Sequence, residues 1–142
     1  MAFWRQQGRG PAGPVLVELA AGDGLVGSPG VWLESEGVRC FLWEHREIPR
    51  REAKRQRPAA RVEAGRLFNW RKADLPAEPW LVSSACPRQS ARVWQAIREK
   101  LIRPAWVVIG NPSGRPVWWL RARQAGYRLA WVYENREYFL RA

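Results

Sequence analysis

The chain has 142 residues and a formal net charge of +11, with 24 basic residues against 13 acidic ones. A hydrophobic content of 46% is enough for a core without disulfide staples, and no apolar run approaches the ~18 residues of a membrane-spanning helix. Two cysteines, Cys40 and Cys86, belong to no CxxC or Cys/His cluster, which argues against zinc and for a reducing cytoplasm.

Residues 1–13 are rich in Gly, Gln and Arg and read as a loose N-terminal arm without the apolar stretch of a secretory signal. Residues 14–142 read as a single mixed α/β domain. Val15–Leu19 is an apolar run that fits a strand buried on both faces. A connection rich in Gly, Asp and Pro follows, from Ala21 to Gly30. Val31–Ser35 and Val38–His45 flank Glu36-Gly37, a pattern that predicts an antiparallel hairpin. In its second arm Cys40, Leu42 and Glu44 share one face, and Phe41, Trp43 and His45 the other.

Between Arg46 and Arg61 the composition shifts. Seven cations (Arg46, Arg50, Arg51, Lys54, Arg55, Arg57, Arg61) face only Glu47 and Glu52. With little to bury beyond Ile48, the stretch 46–61 reads as an exposed basic loop or a short mobile helix. Val62–Leu75 permits either helix or strand.

Trp80–Ala85 reads as a short strand. Pro87 suits a first helical position, and Val93, Trp94, Ile97 and Leu101 fall on one buried stripe of a helix reaching about Leu101. Ala105–Gly110 is a continuous buried strand. Asn111–Gly114 is a turn, Pro116 opens a second helix and Gly126 stops it. Tyr127–Glu134 and Glu137–Arg141 complete a last hairpin. The C-terminal half is thus β-α-β-α-β-β, with a parallel pair and a right-handed crossover. Together with N-terminal antiparallel hairpins it predicts an α+β (mixed α/β) domain on one mixed sheet.

Two strand-to-helix turns present hydroxyls and an arginine where free N–H groups and the helix dipole favour an anion. One carries Ser84, Arg88, Ser90 and Arg92; the other carries Asn111, Ser113, Gly114 and Arg115. If their strands are parallel neighbours, both turns lie at the sheet edge where open α/β sheets bind ligands. Neither matches GxGxxG or a P-loop, so no cofactor is implied. Cys86 and Arg92 have the spacing of a cysteine-phosphatase loop, but Pro87 replaces the glycines that wrap a phosphate. His45, the only histidine, stands near Glu34, Glu36 and Glu44; this is too little for a catalytic triad, and no metal site is assigned.

Twenty-one of the cations are arginine, and ten residues are tryptophan. Arginine holds phosphate bidentately, and tryptophan stacks on unpaired bases. The leading expectation is therefore a cytoplasmic DNA- or RNA-binding protein that works chiefly through phosphate contacts. Its contact residues would be Arg46, Arg50, Arg51, Lys54, Arg55, Arg57, Arg88, Arg92 and Arg115, with Trp118 stacking. Ser84, Ser90, Asn111, Ser113 and Gly114 are the phosphate-binding candidates. Two other readings remain open. One is a basic accessory factor docking on an acidic protein surface. The other is a small phosphate- or nucleotide-processing enzyme at the edge formed by the two turns.

Overall fold

Val15–Leu19 is buried at every position, as a central strand of a parallel sheet must be. It is β1 of a computed structural model that describes residues 13–26, 28–64, 69–110 and 116–142. β2 (Arg39–Trp43) and β3 (Arg61–Glu63) extend the sheet to one side. β4 (Leu81–Ser84) and β5 (Trp106–Gly110) extend it to the other. β6 (Tyr127–Tyr133) and β7 (Arg136–Arg141) complete a seven-stranded sheet of order β3-β2-β1-β4-β5-β7-β6. The first five strands are mutually parallel, and β7 runs antiparallel between β5 and β6. The expectation of a mixed α/β domain on one mixed sheet holds.

Among the described residues, four helices cover the two faces. α1 (Gly30–Ser35) and α2 (Glu47–Gln56) lie on one face, α3 (Pro87–Arg98) and α4 (Pro116–Gln124) on the other. Under α3 and α4, Val17, Leu19, Val82, Val107, Trp94 and Phe139 form the larger core. Trp94 meets Tyr127 and Phe139 edge-on, the geometry that aromatic quadrupoles favour. On the opposite face Leu16, Leu33, Cys40, Leu81, Trp106 and Val108 form the second. The alternation expected for β2 is seen: Cys40 and Leu42 are buried on one side, while Phe41 and Trp43 pack against the other core.

The C-terminal β-α-β-α-β-β succession is present as expected. Pro87 starts α3, and Val93, Trp94 and Ile97 are buried. That helix ends at Arg98, and Lys100 takes a left-handed conformation (φ 58°) where the sequence pattern suggested another turn. Glu134 and Asn135 both have positive φ, which matches a hairpin turn to the twist of its strands.

The N-terminal half differs from expectation. Val31–Ser35 is helical, and β2 runs parallel to β1, so no antiparallel hairpin forms there. The alternating apolar residues of Val31–Ser35 are too few to separate a strand from a single helical turn and a half. Residues Glu47–Gln56, expected as a loop or short mobile helix, form a ten-residue helix. Glu47 occupies its first turn, Lys54 and Arg55 its last, as the helix dipole favours. Pairs Arg51–Glu47 and Arg55–Glu52 run along its exposed face. The expected arm lies outside the described residues apart from Gly13. Among the described residues, no helix is long and apolar enough to cross a membrane.

Candidate functional site

β1 and β4 are neighbours, yet their chains leave toward opposite sides of the sheet. This is the topological switch point, where open α/β sheets place ligands at the carboxyl ends of the strands. The loops after β1, β2 and β4 meet there, because Leu19 pairs in register with both Trp43 and Ser84.

The loop after β1 has an unusual backbone. Ala20, Gly22 and Gly24 have φ of 58°, 63° and 75°, so three alternate residues occupy the left-handed region. Around Gly22 there is room: a Cβ there would meet only the Arg46 guanidinium, at 4.0 Å. At Gly24 the helix packs close instead, with a Cβ lying 3.2 Å from that of Ala53. Asp23 accepts from the backbone N–H groups of Leu25 and Val26 at 2.9 Å each. Those bonds close an Asx turn and hold its carboxyl below the ordinary range.

Beneath this loop lies a buried ionic cluster. Glu18 accepts from Ser28 Oγ and from the Gly30 N–H, each at 2.8 Å. Arg57, which follows α2, is 2% exposed. Its guanidinium donates to the Gly24 carbonyl at 3.2 Å, Ser28 Oγ at 2.9 Å and Glu34 at 3.1 Å, and lies 3.6 Å from Glu18. A Cβ at Gly30 would stand 2.7 Å from Arg57 Nη2, so the first residue of α1 has to be glycine for the guanidinium to fit. Burial pushes the Glu18 carboxyl above its ordinary range, against the pull of Ser28, Gly30 and Arg57.

A second acid–arginine pair stands at the end of β2. Glu44 is fully buried, and both its oxygens are engaged. Oε2 accepts from the Gly22 N–H at 2.7 Å and Arg46 Nη2 at 3.3 Å. Oε1 accepts from the Arg46 N–H at 2.9 Å and Nε at 3.0 Å, with His45 Nδ1 3.4 Å away. Burial works against its ionisation, but the Arg46 guanidinium and the two backbone N–H groups outweigh it, and its carboxyl sits below the ordinary range.

Beside this edge a cavity of about 520 Å³ opens over β2 and β3. Phe41 and Trp43 give it an aromatic wall, with Arg61, Glu63, Asn69 and Lys72 among its polar lining. Trp43 and Glu63 are partners in register at the carboxyl ends of their strands.

The expected site residues distribute unevenly. β4 and β5 are parallel neighbours, so their carboxyl ends share an edge. Ser84 and Ser90 are buried there, but both hydroxyls donate to the Cys86 carbonyl, at 3.2 and 3.0 Å. They thereby shape the start of α3. Arg88 is exposed and Arg92 half-buried on α3. Asn111, Ser113, Gly114 and Arg115 lie outside the described residues. Arg50, Arg51, Lys54 and Arg55 line α2, whereas Arg57 is in the buried cluster and Arg46 is turned onto Glu44. Trp118 is 8% exposed and packs in the core beneath Arg121, so it offers no stacking face; Trp119 is the exposed one, at 51%. Glu44 lies against His45, but Glu34 pairs with Arg57 instead, so the two acids do not gather around the imidazole. Sequence reasoning missed Glu18, Gly22, Gly24 and Glu44 as members of one site.

No known family model and no curated protein matches the chain. Solved structures do. A TehB-like SAM-dependent methyltransferase from Corynebacterium glutamicum superposes with a TM-score of 0.62 at 18% identity, covering 91% of this chain and 80% of that one. TrmK from M. capricolum, solved with S-adenosyl-homocysteine, gives 0.65 at 9% identity over 89% of this chain and 60% of that one. A ribosomal protein L11 methylase from Lactobacillus delbrueckii subsp. bulgaricus gives 0.62 at 8% identity over 89% and 68%. The chain has the Rossmann-like fold of these methyltransferases. That likeness overturns the expectation of a plain DNA- or RNA-binding protein working through phosphate contacts. Of the expectations above, the small phosphate- or nucleotide-processing enzyme agrees with it better than the leading one.

Proposed function

We propose that the chain binds S-adenosylmethionine at the carboxyl edge of its parallel sheet and transfers the methyl group to an acceptor. The observation that carries this reading is the pairing of the left-handed Ala20–Gly24 loop with Glu44 at the end of the adjacent strand. In dinucleotide-binding folds a glycine loop after the first strand lets the ligand approach the backbone. There an acidic residue about 20 positions on takes the ribose hydroxyls. Here Glu44 follows Gly24 by that interval.

The residues fit such a nucleoside. Gly22 leaves its backbone approachable, Glu44 supplies a carboxylate for the ribose, and the aromatic wall of Phe41 and Trp43 suits a flat base. When bound, the cofactor supplies a methyl group on a positively charged sulfur. The chain's part is to orient it: Arg57 and Glu18 hold the loop from below, and the ends of β4 and β5 close the floor. There a Cβ on Gly110 would come within 3.3 Å of Ala85 Cα.

The charge of +11 favours an anionic acceptor, and nucleic acid belongs to that class. Arg88, exposed on the first turn of α3 at the same edge, is our candidate for drawing it in. Free Cys40 and Cys86 accord with a cytoplasmic setting.

Calorimetry and thermal melting with S-adenosylmethionine and S-adenosylhomocysteine test the proposal. A ligand at 100 times its Kd stabilises a folded protein by about 2.7 kcal/mol, so a clear rise in melting temperature is expected. No heat and no rise at millimolar ligand would sink the reading.

A further inference from the structure

The Glu44 carboxylate that suits a ribose is already in use. Its oxygens accept from Arg46 Nε at 3.0 Å and Nη2 at 3.3 Å, one nitrogen to each oxygen. Two vicinal ribose hydroxyls would present the same fork of donors to the same two atoms. The backbone bonds from Gly22 and Arg46 to Glu44 can persist alongside a diol, whereas the guanidinium bonds cannot. Arg46 Nη2 is also the group nearest to the open side of Gly22, at 4.0 Å from where a Cβ would be. The guanidinium therefore occupies both the acid and the approach to the loop.

The local sequence explains why. Arg46 is the N-cap residue of α2, with extended backbone (φ −78°, ψ 132°) and no side-chain cap bond. Ser, Thr, Asp or Asn at that position would turn its oxygen onto the helix N–H groups. Arginine has no acceptor, so its side chain is free to fold back on the acid two residues earlier. It does so while 58% exposed. Its charge has water to return to, and two ribose hydroxyls can take over its bonds to Glu44, so it can be displaced.

We propose that Arg46 is an intramolecular competitor for Glu44, standing in for the ribose diol and setting the affinity for the cofactor. The inference rests on the methyl-transfer reading above for its ligand. A cofactor then binds only the fraction of molecules in which Arg46 has swung away, and its apparent Kd is raised by that fraction.

The test is calorimetry with S-adenosylhomocysteine and its 2′-deoxyribose counterpart, on wild type and Arg46→Gln, with melting curves as the check on folding. Arg46→Gln is expected to bind S-adenosylhomocysteine roughly two- to fivefold more tightly, the ratio set by a pair whose arginine stands in water. Loss of the 2′-hydroxyl should cost wild type and variant the same factor in affinity, and no loss in either would overturn the proposal. Raising salt from about 0.05 M to about 0.5 M should tighten wild type toward the variant and leave the variant unchanged. Unchanged or weaker binding by a folded Arg46→Gln would overturn the proposal. If Arg46→Gln fails to fold, Arg46→Lys keeps the charge but not the fork; it should bind more tightly than wild type, and equality would overturn the proposal. If neither wild type nor variant binds S-adenosylhomocysteine, the methyl-transfer reading falls, and this inference with it.

Discussion

Two acid–arginine pairs flank the loop after β1; both acids are buried, and the pairs differ in the exposure of the arginine. Glu18 and Arg57 lie beneath it, with Arg57 only 2% exposed. Glu44 and Arg46 lie at its mouth, with Arg46 58% exposed. The buried guanidinium ties together Gly24, Ser28, Glu34 and Glu18, four groups from three parts of the chain. The exposed one binds a single carboxylate two residues away. The same chemistry thus makes a frame in one place and a removable cover in the other. Water at the arginine decides which: the Arg46 charge has solvent to return to, and the Arg57 charge has none.

Removing Arg57 should break this contrast most strongly. Arg57→Met removes the guanidinium bonded to Glu34 and beside Glu18, and frees the Gly24 carbonyl. Loss of one partner of a buried pair costs about 3–5 kcal/mol, so urea unfolding should show a loss of that size. Arg46→Met should lose less than Arg57→Met, because Glu44 keeps its bonds from the Gly22 and Arg46 backbone N–H groups. Equal losses from the two substitutions would mean that burial does not separate the pairs.

Acid titration sharpens the comparison, because the two carboxyls shift in opposite directions. The Glu44 carboxyl is depressed below its ordinary value of 4.5. Its contribution to stability is complete above that value and is lost as pH falls through the depressed one. The Glu18 carboxyl is raised above 4.5 by burial. Its ionisation counts against the fold as pH climbs from 4.5 through the raised value. Melting curves between pH 3 and pH 7 should therefore diverge. The deficit of Glu44→Gln relative to wild type should shrink on acidification. Glu18→Gln should gain on wild type as pH rises. Parallel curves for the two variants would contradict the assigned directions.

How much of this was legible in the sequence follows the same division between local and distant contacts. The β-α-β-α-β-β half was readable because each element carries its own signal: Pro87 at a helix start, Val93, Trp94 and Ile97 on one stripe, Gly126 at a helix end. The parity of β2 was readable for the same reason. The site was not. Ala20 stands where a glycine fingerprint would begin, so Ala20-Ala21-Gly22-Asp23-Gly24 reads as an ordinary turn. The usable signal was an apolar strand running into two alternate glycines, with an acid at the end of the next strand. Arg57 sits in an arginine-rich run that resembles a solvated surface, and its acids approach from Glu18 and Glu34, which no local pattern joins to it. Trp118 next to Trp119 shows the limit of composition: one is core and the other is surface.

Ala20 gives the smallest of these effects and probes the loop itself. At φ 58° it occupies a region in which an L-residue with a Cβ costs about 1–2 kcal/mol. Glycine relieves that cost but loses about 0.4–1 kcal/mol through the greater freedom of the unfolded chain. Ala20→Gly should therefore stabilise the protein by about 0.5–1 kcal/mol in urea unfolding. Gly24→Ala should do the reverse, because it adds a Cβ at φ 75° and brings it within 3.2 Å of Ala53. A protein destabilised by Ala20→Gly would show that the Ala20 methyl contributes packing worth more than the strain of its backbone. Its place at the head of the loop would then be held by contact, not merely tolerated.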